Sequence, residues 1–256
     1  MRVFIKGWKV GSSSAKELRN GLGAKLIRAK NSRYVHNQAR HLVVNWGDSR
    51  CDDYGNMLNR PSAVKKATDK ISTIISMDEH GVSSLGVMYD KEIATRYLIN
   101  HPDSVIFCRG MINASKGKGI VVARSPDELI DCKLYTVGIL DPDRIEYRIH
   151  VFQGKVIHQQ QKKKRNGWRE NPNFSGDVRN LDGGWVFAIK DVDASEHTKS
   201  TAIKAVEALG LDFGGVDIVQ EPSGTGYVIE VNTACGLHGT TIDMYCEAIK
   251  KYAEDL

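Results

Sequence analysis

Two short stretches near the carboxyl end constrain this chain most. In Gly214-Gly215-Val216-Asp217-Ile218-Val219 the alternation places Val216 and Ile218 on one face and Asp217 on the other, the pattern of a half-buried strand. Tyr227-Val228-Ile229-Glu230-Val231-Asn232 repeats it, with Tyr227, Ile229 and Val231 on one face and Glu230 and Asn232 on the other. A hairpin turn centred on Ser223-Gly224 opposes Asp217 to Glu230. Carboxylates opposed at about 4.5–5.5 Å between Cβ atoms repel, and a cation between them removes the conflict. Two carboxylates and an amide oxygen suit hard Mg2+ or Mn2+ rather than zinc, and they leave coordination positions for the phosphate oxygens of a nucleotide. A solvent-facing hairpin with ordinary surface acids satisfies the same pattern.

A length of 256 residues allows one large domain or two small ones, and 41% hydrophobic with 26% charged residues is the balance of a folded globular chain. The opening Val3-Phe4-Ile5 is too short an apolar run for a signal peptide, and no stretch approaches a membrane span, so a cytoplasmic location is expected. Cys51, Cys108, Cys132, Cys235 and Cys246 are scattered with no C-x-x-C pair and read as reduced thiols. The net charge of +5 is modest, although Gln161-Lys162-Lys163-Lys164-Arg165 concentrates cations; that run fits an anionic partner or a solvated loop.

A strand at Arg2-Val3-Phe4-Ile5, a helix capped by Ser12-Ser13-Ser14, and apolar stretches at Lys25–Ile27 and His41–Asn45 suggest a small open α/β unit at the amino end, without a G-x-G-x-x-G fingerprint. Val64, Ala67, Ile71, Ile74 and Ile75 predict one amphipathic helix up to Gly81. A second is capped by Asp90, buries Ile93, Ala94, Tyr97 and Leu98, and stops before Pro102. A third opens at Ser125-Pro126, with Glu128 completing a capping box, and a fourth ends at Gly210. Strands are expected at 105–108, 120–123, 146–152, 156–160, 216–220 and 227–232, and the Lys-, Asn- and Gly-rich 162–183 region reads as a long, mobile, lid-like loop.

Between two of those strands, Arg109-Gly110-Met111-Ile112-Asn113-Ala114-Ser115-Lys116-Gly117-Lys118-Gly119 has the composition of a phosphate cradle: glycines that let backbone N–H groups approach an anion, with Ser115, Lys116 and Lys118 adding donors and charge. The spacing is not that of a Walker-type loop. A plain β-turn carries such glycines too. On Glu146-Tyr147-Arg148-Ile149-His150-Val151-Phe152, alternation puts Glu146, Arg148 and His150 on one polar face.

In this order, the phosphate loop, the Glu-x-Arg strand, Gly-Val-Asp at 215–217 and Glu-Val-Asn-Thr-Ala-x-Gly-Leu at 230–237 resemble the ATP-grasp superfamily, its carboxylate–amine ligases and, among these, the RimK-like glutamate ligases and D-alanine–D-alanine ligases. The resemblance runs from about Asn59 to the carboxyl end. It implies an ATP-grasp fold of mixed α+β and α/β class: two α+β subdomains gripping ATP, at 59–137 and 138–256, preceded by a small Rossmann-like α/β domain at 1–58. It further implies that Asp217, Glu230 and Asn232 hold Mg2+, with Mn2+ a possible substitute. Ser115, Lys116, Gly117, Lys118 and Gly119 look like the loop over the phosphates, and Lys70 and Arg109 like the phosphate-contacting cations. Lys133 to Val137, centred on Leu134, Tyr135 and Thr136, resembles the adenine hinge, and Glu146 the ribose-binding acid. Arg148 should point at the acyl-phosphate, and with Arg109 is the expected catalytic cation. Gln159, Lys162, Lys163, Arg165, Arg179 and Asn180 lie where the family's substrates bind. Two positions depart from the pattern: Arg109 replaces lysine and Cys235 replaces proline, and neither removes a ligand.

The implied reaction is phosphorylation of a carboxylate by ATP and attack of an amine on the acyl-phosphate, with small-molecule or peptide partners of glutamate-like, acidic character. Two rival readings are an ATP-grasp kinase and a nucleic-acid-binding module that uses Lys162 to Arg165 with Trp168 and Trp185 as stacking residues. The second leaves the acidic hairpin unexplained.

Overall fold

The computed structural model describes residues 1–28, 31–110 and 119–256; Ser115, Lys116, Gly117 and Lys118 lie outside the described residues. Strand β1 (Arg2–Gly7) leads into helix α1 (Ser13–Leu22), whose first turn is capped by Ser12 accepting from the Ala15 N–H at 3.4 Å. Strands β2 (Lys25–Ile27), β3 (His41–Trp46) and β4 (Met57–Leu58) join β1 in a parallel sheet of order β2-β1-β3-β4.

The single helix expected over 64–81 is broken in two, α2 (Pro61–Thr68) and α3 (Lys70–Glu79). Asp69 is extended between them, and its carboxylate accepts from the Ser72 N–H at 2.7 Å, so local capping wins over helix continuation. The break re-phases the second half: Thr73, Ser76 and Met77 face inward while Ile71 and Ile75 are exposed. Strand β5 (Val87–Met88) and helix α4 (Lys91–Asn100) follow, the latter capped by Asp90 and burying Ala94 and Leu98 but leaving Ile93 outside. With β6 (Val105–Arg109), β7 (Ile120–Ala123) and β8 (Leu134–Gly138), β5 forms an antiparallel sheet of order β5-β8-β6-β7. The helix expected at Ser125 is one 3-10 turn, Pro126–Glu128, because Glu128 accepts from the Arg124 N–H at 2.6 Å instead of returning to Ser125.

A third sheet is antiparallel throughout, in the order β11-β10-β9-β12-β13: β9 (Ile145–Phe152), β10 (Lys155–Lys164), β11 (Trp185–Ala188), then α5 (Glu196–Ala208), β12 (Phe213–Gln220), β13 (Gly226–Asn232) and α6 (Thr240–Glu254). The basic run expected in a loop is the end of β10, with Lys162, Lys163 and Lys164 paired to Phe187, Val186 and Trp185.

Two cores sandwich this sheet. Tyr147, Ile149, Val151, Val216, Ile218, Val228 and Val231 pack against α2, α3 and α5 on one face. On the other, Phe152 and Phe213 share a core with α6, α1 and the parallel sheet, and Trp46 stacks on Phe213 at 5.3 Å between ring centroids. This second face is therefore apolar at its Phe152 end and carries Glu146, Arg148 and His150 toward the other.

Candidate active site

Asp217 does pair with Glu230 in the β12–β13 ladder, by a route the sequence conceals. Gln220 faces Gly226 and Ile218 faces Val228, which centres the turn on Ser223; a bulge at Ile229 then restores the Asp217–Glu230 register. The bulge also puts Val228, not Ile229, into the core with Val231.

Strand β9 flanks β12 on its other side and sets Arg148 opposite Asp217. The guanidinium donates Nε–H and Nη2–H to Oδ1 and Oδ2 at 2.6 and 2.8 Å, a fork that answers the carboxylate without an added ion. Burial pushes the Asp217 carboxyl up, but the Arg148 pair outweighs burial and holds it below the usual range. Burial likewise lowers Arg148, and the Asp217 contact raises it above its ordinary value. Glu230 accepts from Asn232 Nδ2–H at 3.1 Å. Among the described residues no three His, Cys, Asp or Glu side chains converge. Two carboxylates and one amide are what this hairpin offers, a donor set that fits Mg2+ completed by phosphate and water oxygens.

Lys70, first residue of α3, and Arg109, last of β6, are brought into the field of Glu230. Burial lowers both, Arg109 lowers Lys70 further, and Glu230 partly restores each. Arg109 Nε–H also donates to Thr136 Oγ1 at 3.1 Å, tying β6 to β8. Gly119 O accepts from the Gly110 N–H at 3.3 Å at the described base of the loop.

Glu146 is buried among three cations: Lys162 Nζ at 2.8 Å, Arg179 Nε at 3.7 Å and Arg144 Nε at 3.9 Å. Arg144 has no place in the sequence expectations, although the alternation Arg144, Glu146, Arg148, His150 already puts it on their face. Phe187 is also new. Its ring lies under the Arg148 guanidinium at 4.4 Å and the Lys162 ammonium at 5.8 Å, on a strand hidden within a Lys- and Asn-rich stretch. Asn180 Oδ1 accepts from the Gly183 N–H at 2.6 Å near this cluster, and Arg179 donates to the Arg144 carbonyl at 2.9 Å.

Other expected residues fall elsewhere. Gln159 accepts from the Ala194 N–H at 3.0 Å and Lys163 reaches the Lys190 carbonyl at 3.4 Å, both on the face of β10 opposite Lys162. Tyr135 and Thr136 are paired on both flanks, to Cys108 and Met88 and to Phe107 and Val87, so their backbone groups belong to the sheet; the chain leaves the ladder only after Gly138. The two rings expected as an aromatic platform, half-buried Trp168 and buried Trp185, both pack on Phe174, and Trp185 Nε1–H donates to the Ser175 carbonyl at 2.7 Å.

Behind Arg148 the site is backed by His150, whose Nδ1 lies 3.1 Å from Tyr245 Oη and Nε2 3.2 Å from Gln160 Oε1. Burial lowers its pKa to about 4. A Cβ at Gly215 would stand 2.5 Å from Cys235 Sγ and 3.5 Å from both Arg148 Cδ and His150 Cε1, so glycine is what lets this group close up.

Residues 91–256 match the model of the RimK-like ATP-grasp domain. A probable alpha-L-glutamate ligase of Haemophilus influenzae is 26% identical over 192 residues, covering 70% of this chain and 59% of that protein. Another, of Aeromonas salmonicida, is 24% identical over 198 residues, 71% of this chain and 61% of that protein. The chain thus spans about 60% of the length of these curated relatives. Among solved structures, the ATP-grasp ligase PsnB complexed with a minimal precursor superposes with a TM-score of 0.68 at 13% identity, covering 98% of this chain and 99% of that one. The D-alanine–D-alanine ligase of Bacillus anthracis gives 0.62 at 13% identity, covering 100% and 99%. Fold, motif order and family match agree: the chain belongs to the RimK-like ATP-grasp domain family.

Proposed function

We propose that this chain is an ATP- and Mg2+-dependent carboxylate–amine ligase that forms an amide through an acyl-phosphate, acting on a glutamate-like or acidic amino acid or peptide. The observation that carries the reading is the strand register that sets Asp217 between Glu230 on β13 and its bidentate partner Arg148 on β9, with Lys70 and Arg109 in the field of Glu230. The same division into 1–58, 59–137 and 138–256 is proposed, since each sheet draws its strands from one of these spans except for the last residue of β8.

Asp217, Glu230 and Asn232 would hold the metal, which when bound neutralises phosphate charge. Lys70 and Arg109 orient the phosphates and offset negative charge developing on the transferred group, as cations held in place before the reaction. Glu146 offers a carboxylate for the ribose hydroxyls. The backbone that meets adenine is assigned to Val137–Leu140, where the chain leaves the ladder, rather than to Leu134–Thr136. Arg148, once it exchanges Asp217 for the acyl-phosphate, stabilises the oxyanion as the amine attacks. Lys162, Arg179 and Asn180 form the substrate side; Gln159 and Lys163, which bond Ala194 and Lys190 on the opposite face of β10, are left out. A cytoplasmic setting suits five free thiols and a chain in which, among the described residues, no helix is long and apolar enough to cross a membrane.

Incubation with ATP, Mg2+ and an amino-acid or acidic-peptide panel should release ADP and phosphate and give a product heavier by one amide-linked unit. Stable phosphorylated product with no free phosphate would assign a kinase instead, and a response to neutral substrates alone would contradict the acidic specificity.

A further inference from the structure

Charge is unevenly divided along this chain. Positions 1–58 hold 11 Lys and Arg against 4 Asp and Glu, a net +7, whereas positions 59–256 hold 25 against 27. The parallel pairing of β1, β2 and β3 sends the segments that follow them to one edge: Trp8, Lys9 and Val10 after β1, Arg28 after β2, and Gly47 to Arg50 after β3. That carboxyl edge is where open parallel sheets take their ligands.

Three observations give the edge a use. It is held as one surface, because the Lys6 ammonium donates to the Arg28 carbonyl at 3.4 Å and pairs with Asp48 at 3.6 Å. It adjoins the proposed metal hairpin: a Cβ at Gly47 would stand 2.7 Å from Ala234 Cβ and 3.5 Å from both Thr233 Oγ1 and Trp8 Cβ, so the edge is pressed onto the residues that follow Asn232. It is also open, with Trp8 45% and Val10 83% exposed and Lys9, Arg28 and Arg50 exposed beside them. The ion pairs described within 1–60, Lys6–Asp48 and Arg60–Asp53, involve none of these three cations.

We propose that this edge docks an acidic polypeptide segment, its carboxylates on Lys9, Arg28 and Arg50 and an apolar side chain on Trp8 and Val10, with its end running to the Arg148–Asp217 site; what happens to that end rests on the ligase reading. A nucleic acid fits worse. Asp48 and the exposed Asp52 interrupt any track for a continuous phosphate backbone.

Binding of fluorescein-labelled octa-L-glutamate to the full chain, followed by anisotropy at moderate salt without ATP, tests the docking apart from catalysis. Lys9→Glu/Arg28→Glu/Arg50→Glu should weaken binding roughly ten-fold or more, and the neutral Lys9→Gln/Arg28→Gln/Arg50→Gln set a few-fold, as reversed and removed rim charges do. Trp8→Ala should weaken it about three-fold. Thermal midpoints and ATP-stimulated ADP formation with free L-glutamate should stay at the parent values. Equal peptide affinity in parent and both charge variants, no binding by the parent, or tighter binding of a labelled oligouridylate of equal length would each overturn the proposal. Charge-dependent peptide binding without any ADP formation would instead leave the docking surface standing and remove the ligase reading.

Discussion

At the scale of single residues, Asp217 and Glu230 are not equivalent, although alternation and opposition make them look so. Asp217 is the buried partner of Arg148, and removing one member of such a pair leaves an uncompensated charge that costs about 3–5 kcal/mol. Asp217→Ala should therefore lose both ADP formation and stability, read as a fall in denaturation midpoint. Glu230→Gln keeps the packing and should lose metal-dependent ADP formation with its midpoint unchanged. Comparable destabilisation of the two would contradict this asymmetry. His150 makes a second residue-scale prediction. Its folded pKa of about 4 lies below the ordinary imidazole value, so the neutral ring stabilises the fold fully above about pH 6.5, and that contribution is lost as pH falls toward 4. The groups around it are His158, Arg148, Asp217, Gln160 and Tyr245. His150→Gln should flatten the loss of stability between those pH values, worth about 3–4 kcal/mol for a fall from 6.5 to about 4 at 1.36 kcal/mol per pKa unit. An unchanged slope in urea unfolding across that range would refute it.

Individual elements show what was legible and what was not. The β12–β13 hairpin, though not its bulge at Ile229, the Glu146/Arg148 face and the Ser12, Asp90 and Gly210 helix ends follow from alternation and capping, which are local and written in consecutive residues. Local pattern fails where a side chain chooses between two local partners, as Asp69 does in splitting α2 from α3, or where pairing partners are distant, as for β11. The Asp217–Arg148 bond is likewise invisible from the hairpin, because β9 reaches it from 69 positions away. On β12, Gly215→Ala would drive a methyl into Cys235 and against Arg148 and His150. The overpacking should cost about 1–3 kcal/mol and weaken turnover. Adding Cys235→Ala should recover much of both, a coupling that a double-mutant cycle would measure; simple additivity would show that the two positions do not meet.

For the molecule as a whole, the amino-terminal unit is more firmly joined to the rest than a separate domain reading suggests. Trp46 is fully buried between the parallel sheet and the third sheet, stacked on Phe213 and donating from Nε1–H to Ser14 Oγ at 2.9 Å. Trp46→Ala should cost about 3–5 kcal/mol and lower the one thermal transition seen by both tryptophan fluorescence and far-ultraviolet dichroism. Two separated transitions in the parent protein would show instead that the units unfold independently. That shared core also fixes the carboxyl edge of the first sheet against Thr233 and Ala234, and so places the proposed peptide surface beside the end of the β12–β13 hairpin.

The account centres on a divalent cation held by Asp217, Glu230 and Asn232 against the phosphates of a nucleotide. Titration of Mn2+ in the presence of a non-hydrolysable ATP analogue, read by the loss of the free-ion electron paramagnetic resonance signal, addresses that directly. The parent protein should bind the metal in a nucleotide-dependent manner and Glu230→Gln should bind it at least about ten-fold more weakly, as loss of a charged ligand requires. Equal binding by the two proteins would place the metal, and the chemistry built on it, elsewhere.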